Sequence, residues 1–73
     1  MRTYLSFWFS SEGASPVEIG QSLKKIGFSP MHGGYDFVYS WDKRPGIDDL
    51  LALGNSVQKA LKGCQAMFKM ETV

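Results

Sequence analysis

Cysteine and histidine are scarce in this chain of 73 residues, which contains one of each, Cys64 and His32. A single cysteine excludes an internal disulfide framework. One histidine and one cysteine are also too few for a zinc site built from ordinary ligands. We therefore expect no metal or other cofactor, and we expect Cys64 to be buried as a small apolar side chain.

An excess of charge of one sign is also absent. Lysine and arginine number 8 against 7 aspartates and glutamates, for a formal net charge of +1. A strongly basic nucleic-acid clamp would not balance its charges so closely. The 44% of hydrophobic and 14% of aromatic residues exclude an intrinsically disordered chain. The length fits a single domain that spans residues 1–73.

Long hydrophobic runs are missing as well. The apolar N-terminal stretch is interrupted at Ser10, Ser11 and Glu12. A secretory signal needs a longer apolar stretch and a small-residue cleavage site, and a membrane span needs about 20 apolar residues. We therefore expect a cytoplasmic protein without a membrane partner.

Two helices and four strands follow from the periodicity of the apolar residues. Ser15, Pro16 and Glu18 predict the start of the first helix, because serine caps, proline suits the first turn and glutamate completes a capping box. Gly27 and Gly63 are placed to end the two helices in the left-handed conformation. The predicted strands are Thr3 to Phe9, Phe28 to His32, Tyr35 to Trp41 and Cys64 to Thr72, and the predicted helices are 16–26 and 47–62.

This order of elements, βαββαβ, predicts the ferredoxin-like plait of the α+β class. Its four-stranded antiparallel sheet would have the order 4-1-3-2, with two helices on one face and the other face open. Pro30 cannot donate to a ladder, which favours an edge position for the second strand. Gly33-Gly34 predicts a two-residue hairpin between the second and third strands.

The segment from Gly34 to Val38, Gly-Tyr-Asp-Phe-Val, resembles part of the ribonucleoprotein motif on the third strand of an RNA recognition module. Tyr4 would stand roughly where that module places another stacking aromatic. The resemblance implies binding of single-stranded RNA through the rings of Tyr4, Tyr35 and Phe37. The segment departs from the motif at Gly33, Asp36 and Ser40, where the module has a basic residue, a small residue and an aromatic.

Core packing is the favoured alternative for this strand, because Asp36, Val38 and Ser40 alone would make a poor centre for so small a domain. In this interpretation the four aromatic residues of the strand, Tyr35, Phe37, Tyr39 and Trp41, face the core. The open face would then carry Tyr4, Ser6, Trp8, Asp36, Val38, Ser40, Met67 and Lys69. Such a mixed face with apolar islands suits a homodimer or another protein chain.

Two loops offer further candidates for binding. Lys43 and Arg44 form an adjacent basic pair that could touch a phosphate, or could solvate a turn and pair with Asp42. The loop of residues 10–15 leads into a helix N-terminus whose amides could hold an anion. It is similar in position to the ligand loop of ACT-type regulatory domains, which implies small-molecule binding as an alternative.

An enzymatic role would have to use His32 with Asp36 or Asp42 as acid–base groups. No further partner stands at motif spacing, so no catalytic residue is assigned, and the sequence favours a binding domain. The candidate binding residues are Tyr4, Trp8, Tyr35, Phe37, Lys43 and Arg44.

The whole chain also carries a recognisable pattern. It combines Gly-Tyr-Asp-Phe-Val-Tyr-x-Trp, a helix, Leu-Lys-Gly-Cys and a Phe-Lys-Met-Glu-Thr ending. In this it is similar to small uncharacterised prokaryotic proteins, archaeal ones in particular, of the ferredoxin-like class. The resemblance implies the fold and a cytoplasmic setting, and it implies no site residues.

Overall fold

The computed structural model describes residues 1–73 and contains all the predicted elements. Its strands form one antiparallel sheet in the order β2-β3-β1-β4, which is the predicted order counted from the other edge. The elements are β1 (Arg2–Trp8), α1 (Pro16–Lys25), β2 (Ser29–Pro30), β3 (Phe37–Ser40), α2 (Ile47–Leu61) and β4 (Met67–Thr72). The α+β class and the edge position of Pro30 are therefore confirmed.

Helix α1 begins as its sequence predicts. The Ser15 hydroxyl accepts from the Glu18 N–H at 3.2 Å, and the Glu18 carboxylate accepts from the Ser15 N–H at the same distance. Gly27 follows the helix with a φ of 108°. An added Cβ there would lie 2.9 Å from the Tyr39 ring, so both the backbone and the packing require glycine.

The core lies between the helices and one face of the sheet. The centre of that face is Leu5 on β1, which pairs with Phe37 on β3 and with Met70 on β4. The fully or nearly fully buried apolar residues are Leu5, Ile19, Leu23, Phe28, Phe37, Leu53, Val57 and Leu61. Each strand side chain on this face alternates with one on the open face, as the period of two requires.

A buried threonine hydroxyl connects the central strand β1 with β4 and with the residue that follows β3. The Thr3 side chain is fully buried. Its hydroxyl accepts from the Trp41 indole N–H at 2.8 Å and shares a hydrogen bond of 2.8 Å with the Thr72 hydroxyl. Buried hydroxyls are tolerated where they are hydrogen-bonded. The Thr3 hydroxyl meets this condition, and it also provides a hydrogen-bond partner for the Trp41 indole and for the Thr72 hydroxyl.

The connection between β2 and β3 differs from the prediction. Strand β2 ends at Pro30 and β3 begins at Phe37, so Gly33-Gly34 lies in a wider loop and not in a two-residue hairpin. Asp36 is the reason. Its backbone N–H donates to the Leu5 carbonyl at 2.9 Å, while its carboxylate accepts from the Phe7 N–H at 3.0 Å. A side chain thus replaces the next residue of the strand in the ladder with β1.

The start of β4 is also later than predicted, at Met67 and not at Cys64. Residues 62–65 form turns, and Gln65 has a positive φ of 55°. The Cys64 carbonyl accepts from the Ala14 N–H at 3.1 Å, which docks the first loop against this turn. Cys64 packs against the core, as expected of a small apolar side chain, but it is only partly buried.

Replacing Thr3 by valine should lower the free energy of unfolding by about 1–3 kcal/mol, because the Trp41 indole and the Thr72 hydroxyl both lose their partner. Urea unfolding monitored by tryptophan fluorescence measures the change. Thr72→Val is the matched control, because it keeps the bond from Trp41 to Thr3 and should cost less. A Thr3→Val protein as stable as the original would contradict this role.

Candidate functional site: the open face of the sheet

The face of the sheet opposite Leu5 is not covered by either helix, and we call it the open face. The strand residues that share it follow from the pairing register and from the alternation of side chains. They are Arg2, Tyr4, Ser6, Trp8, Val38, Ser40, Met67, Lys69 and Glu71. The open face therefore combines aromatic, apolar and charged groups of both signs.

Two tyrosines stack at the centre of the open face. The rings of Tyr4 and Tyr35 have centroids 5.0 Å apart and planes inclined by 27°. Simple alternation would place Tyr35 on the same side as Phe37, and this prediction was wrong for Tyr35. Because Asp36 uses both its backbone and its carboxylate on β1, the strand pattern ends there and Tyr35 reaches the open face.

Glu71 links the tyrosine pair to a basic side chain. Its carboxylate accepts from the Tyr35 hydroxyl and forms an ion pair of 2.9 Å with the Lys69 ammonium. The hydrogen bond from Tyr35, followed by the contacts with Lys69, lowers the pKa of Glu71. The same hydrogen bond raises the pKa of Tyr35, and the hydrogen bond to Glu71 raises the pKa of Lys69.

An apolar patch occupies one end of the open face. Trp8 at the end of β1 pairs directly with Met67 at the start of β4. Trp8 is 57% exposed and Met67 is 73% exposed. Neighbouring large side chains with this exposure are typical of a surface that contacts another molecule.

Phe37, a candidate binding residue, does not belong to the open face. It is 7% exposed and packs against Leu5 and Gly20, where an added Cβ would lie 3.3 Å from the Phe37 ring. The availability of Phe37 for stacking on a base was therefore a wrong expectation. Tyr39 and Trp41 also pack against the core, which confirms the inward direction predicted for them.

Lys43 and Arg44 are exposed in the loop between β3 and α2. That loop follows Ser40, which pairs with Arg2 at the start of β1, whereas Trp8 lies at the other end of the strand. The structure thus separates the basic pair from the apolar patch. Lys69–Glu71 is the ion pair of the protein, and the predicted pairing with Asp42 is not formed.

The amides of the first loop already have partners. The N–H groups of Glu12 and Gly13 donate to Ser10, and that of Ala14 donates to Cys64. The N–H of Ser15 donates to the Glu18 carboxylate. Few N–H donors of this loop are left for an anion, so the loop gives little support to the hypothesis of small-molecule binding.

The remaining candidates for chemistry form no hydrogen bond or ion pair with one another. His32 is exposed, and the carboxylate of Asp36 is hydrogen-bonded to the Phe7 N–H. No group of three histidine, cysteine, aspartate or glutamate side chains could hold a metal ion. Neither helix has the length and apolar character that a membrane crossing requires.

Comparison with protein families, curated proteins and solved structures finds no match to this chain.

Glu71→Gln should lower the pKa of Tyr35 toward that of an ordinary tyrosine, because the phenol then loses the carboxylate that holds its proton. An NMR titration of the Tyr35 ring measures the shift. In the original protein the Tyr35 contribution to stability is present below the ordinary tyrosine pKa and is lost as the pH rises through the raised one.

Asp42→Asn is the control for this titration, since Asp42 makes no contact with Tyr35. It removes one carboxylate from the protein but should leave the pKa of Tyr35 unchanged. An identical pKa of Tyr35 with and without the Glu71 carboxylate would contradict the link described above.

Proposed function

We propose that this protein is a non-enzymatic binding domain with the ferredoxin-like plait, which forms a homodimer through the open face of its sheet in the cytoplasm. The observation that carries the proposal is the exposed pair Trp8 and Met67 on a face that no helix covers. In a symmetric dimer the same patch meets its own copy, so apolar surface on each chain is removed from water.

The charges of the open face are compatible with such self-association. Arg2 and Lys69 are positive and Glu71 is negative, so a two-fold axis can bring opposite charges together. A face with one sign of charge would repel its copy. The Tyr4–Tyr35 stack adds flat aromatic surface beside these groups.

Trp8→Ser should raise the dimer dissociation constant by about tenfold or more, since buried tryptophans dominate the energy of many interfaces. Sedimentation equilibrium over a wide concentration range measures it. Leu51→Ser is the matched control, because Leu51 is exposed on α2 and away from the sheet. A monomer at every concentration, or an equal effect of both substitutions, would refute the open-face dimer.

Single-stranded RNA binding is the second candidate, and one observation favours it: Tyr4 and Tyr35 both lie on the open face. Three features oppose it. Phe37 is buried, the two rings stack on each other, and the Glu71 carboxylate beside them would repel phosphates.

Titration with a mixed oligonucleotide pool at low salt should therefore leave the ring signals of Tyr4 and Tyr35 in place. NMR shifts of both rings provide the measurement. Saturable shifts at these two residues, weakened by added salt, would favour RNA over self-association.

A further inference from the structure

The outer edge of β4 has unpaired backbone groups. Arg2 and Val73 exchange two N–H···O bonds, at 3.1 and 2.9 Å. Because such pairs alternate along an antiparallel ladder, Glu71, Lys69 and Met67 also direct their backbone groups to β1. The backbone groups that point away from β1 are those of Phe68, Met70 and Thr72, and they face the free edge of the sheet.

The two edges of the sheet differ in how they are protected. Strand β2 is two residues long and contains Pro30, which cannot donate to a further strand. Strand β4 is six residues long and contains no proline. A cavity of about 450 Å³ lies between the C-terminal half of α2 and Phe68 near the start of β4, so the helix leaves this end of the edge open. The cavity is lined by Gln58, Lys59, Leu61, Lys62, Ala66 and Phe68.

A second β4 strand fits this edge in a limited number of antiparallel registers. Ladder bonds form only when the outward-facing residues of the two copies stand opposite each other. Central pairing is then possible at Lys69, at Met70 or at Glu71. The first and third registers place Lys69 against Lys69, or Glu71 against Glu71, and like charges directly opposite destabilise a sheet.

The register centred on Met70 instead places opposite charges directly across from each other. It places Lys69 of each chain directly opposite Glu71 of the other, at a position without ladder bonds, where Cα atoms are about 4.5 Å apart and side chains are closest. A two-fold axis produces this contact twice. Lysine on an edge normally discourages pairing, but here the matching glutamate stands two residues away on the same face.

We propose that β4 pairs with β4 of a second copy, antiparallel and with Met70 opposite Met70, to form one continuous sheet across two chains. The ladder bonds come from Phe68, Met70 and Thr72, and the Lys69–Glu71 contacts select the register. This interface uses the backbone groups at the edge of the sheet and does not involve Trp8. Lys69 and Glu71 also belong to the open face, so the protection of the Phe68, Met70 and Thr72 amides is what distinguishes edge pairing from association through that face.

Hydrogen exchange on the unmodified protein tests the proposal directly. The amides of Phe68, Met70 and Thr72 should exchange fast in dilute protein and more slowly as the concentration rises. The slowing should reach about tenfold where roughly nine-tenths of the chains are paired, because exchange then occurs from the unpaired remainder. The amides of Lys69 and Glu71, bonded to β1, should be protected throughout.

Charge reversal tests the register. Lys69→Glu and Glu71→Lys should each raise by about tenfold the protein concentration at which the amides of Phe68, Met70 and Thr72 become protected. Each substitution places like charges opposite each other across the two chains. The double variant K69E/E71K should restore the protection, since the opposite charges face each other again. Lys24→Glu on α1 is the matched control and should leave the protection unchanged, and so should Trp8→Ser.

Disulfide formation gives a second measurement of the register. In a Cys64→Ser background, Met70→Cys should cross-link on oxidation, because its Cα would lie about 5.5 Å from its counterpart. Lys69→Cys should not, since its counterpart would be a diagonal neighbour about 7–8 Å away.

Three results would overturn the proposal. The first is hydrogen exchange at the amides of Phe68, Met70 and Thr72 that does not depend on protein concentration. The second is a double variant that fails to recover the pairing. The third is preferential cross-linking at Lys69→Cys, which would mean a shifted register.

Discussion

The hydrogen bond from the Phe7 N–H to the Asp36 carboxylate determines how the central strand meets its neighbour. Pairing between β1 and β3 ends at Leu5 and Phe37, and the Asp36 side chain satisfies the next donor of β1. The chain can therefore leave the sheet without exposing an unpaired group on its central strand. Phe37 faces the core with its partner Leu5, and the use of the Asp36 side chain in place of the next strand residue lets Tyr35 reach the open face.

The chemistry of the open face depends on the position of Tyr35 there and of Phe37 in the core. Tyr35 stacks on Tyr4 and donates to Glu71, which in turn holds Lys69. These groups form a polar and aromatic centre, with the apolar patch of Trp8 and Met67 at one end. A surface of this kind, with charges of both signs, suits another protein chain better than a polyanion.

Both proposed contacts arise from what the helices leave uncovered. Two helices can cover one face of a four-stranded sheet, which leaves the second face in water. The cavity beside α2 also leaves the start of the β4 edge, at Phe68, open on the helix side. The opposite edge has Pro30 and only a short strand, so the sheet is asymmetric in its capacity to extend. The proposed self-association thus rests on the small size of the domain as well as on its surface chemistry.

Local patterns in the sequence were sufficient to predict the order of the elements, the order of the strands in the sheet and the residues at which both helices begin. They succeed because capping residues, glycine stops and apolar periodicity act over a few residues. Only the tertiary structure decided the direction of Tyr35, the length of the loop around Gly33 and the half-burial of Cys64. Each of these depends on a contact between distant segments: Asp36 with Phe7 for the first two, and the turn at Cys64 with Ala14 for the third. No periodicity within a strand encodes such a contact.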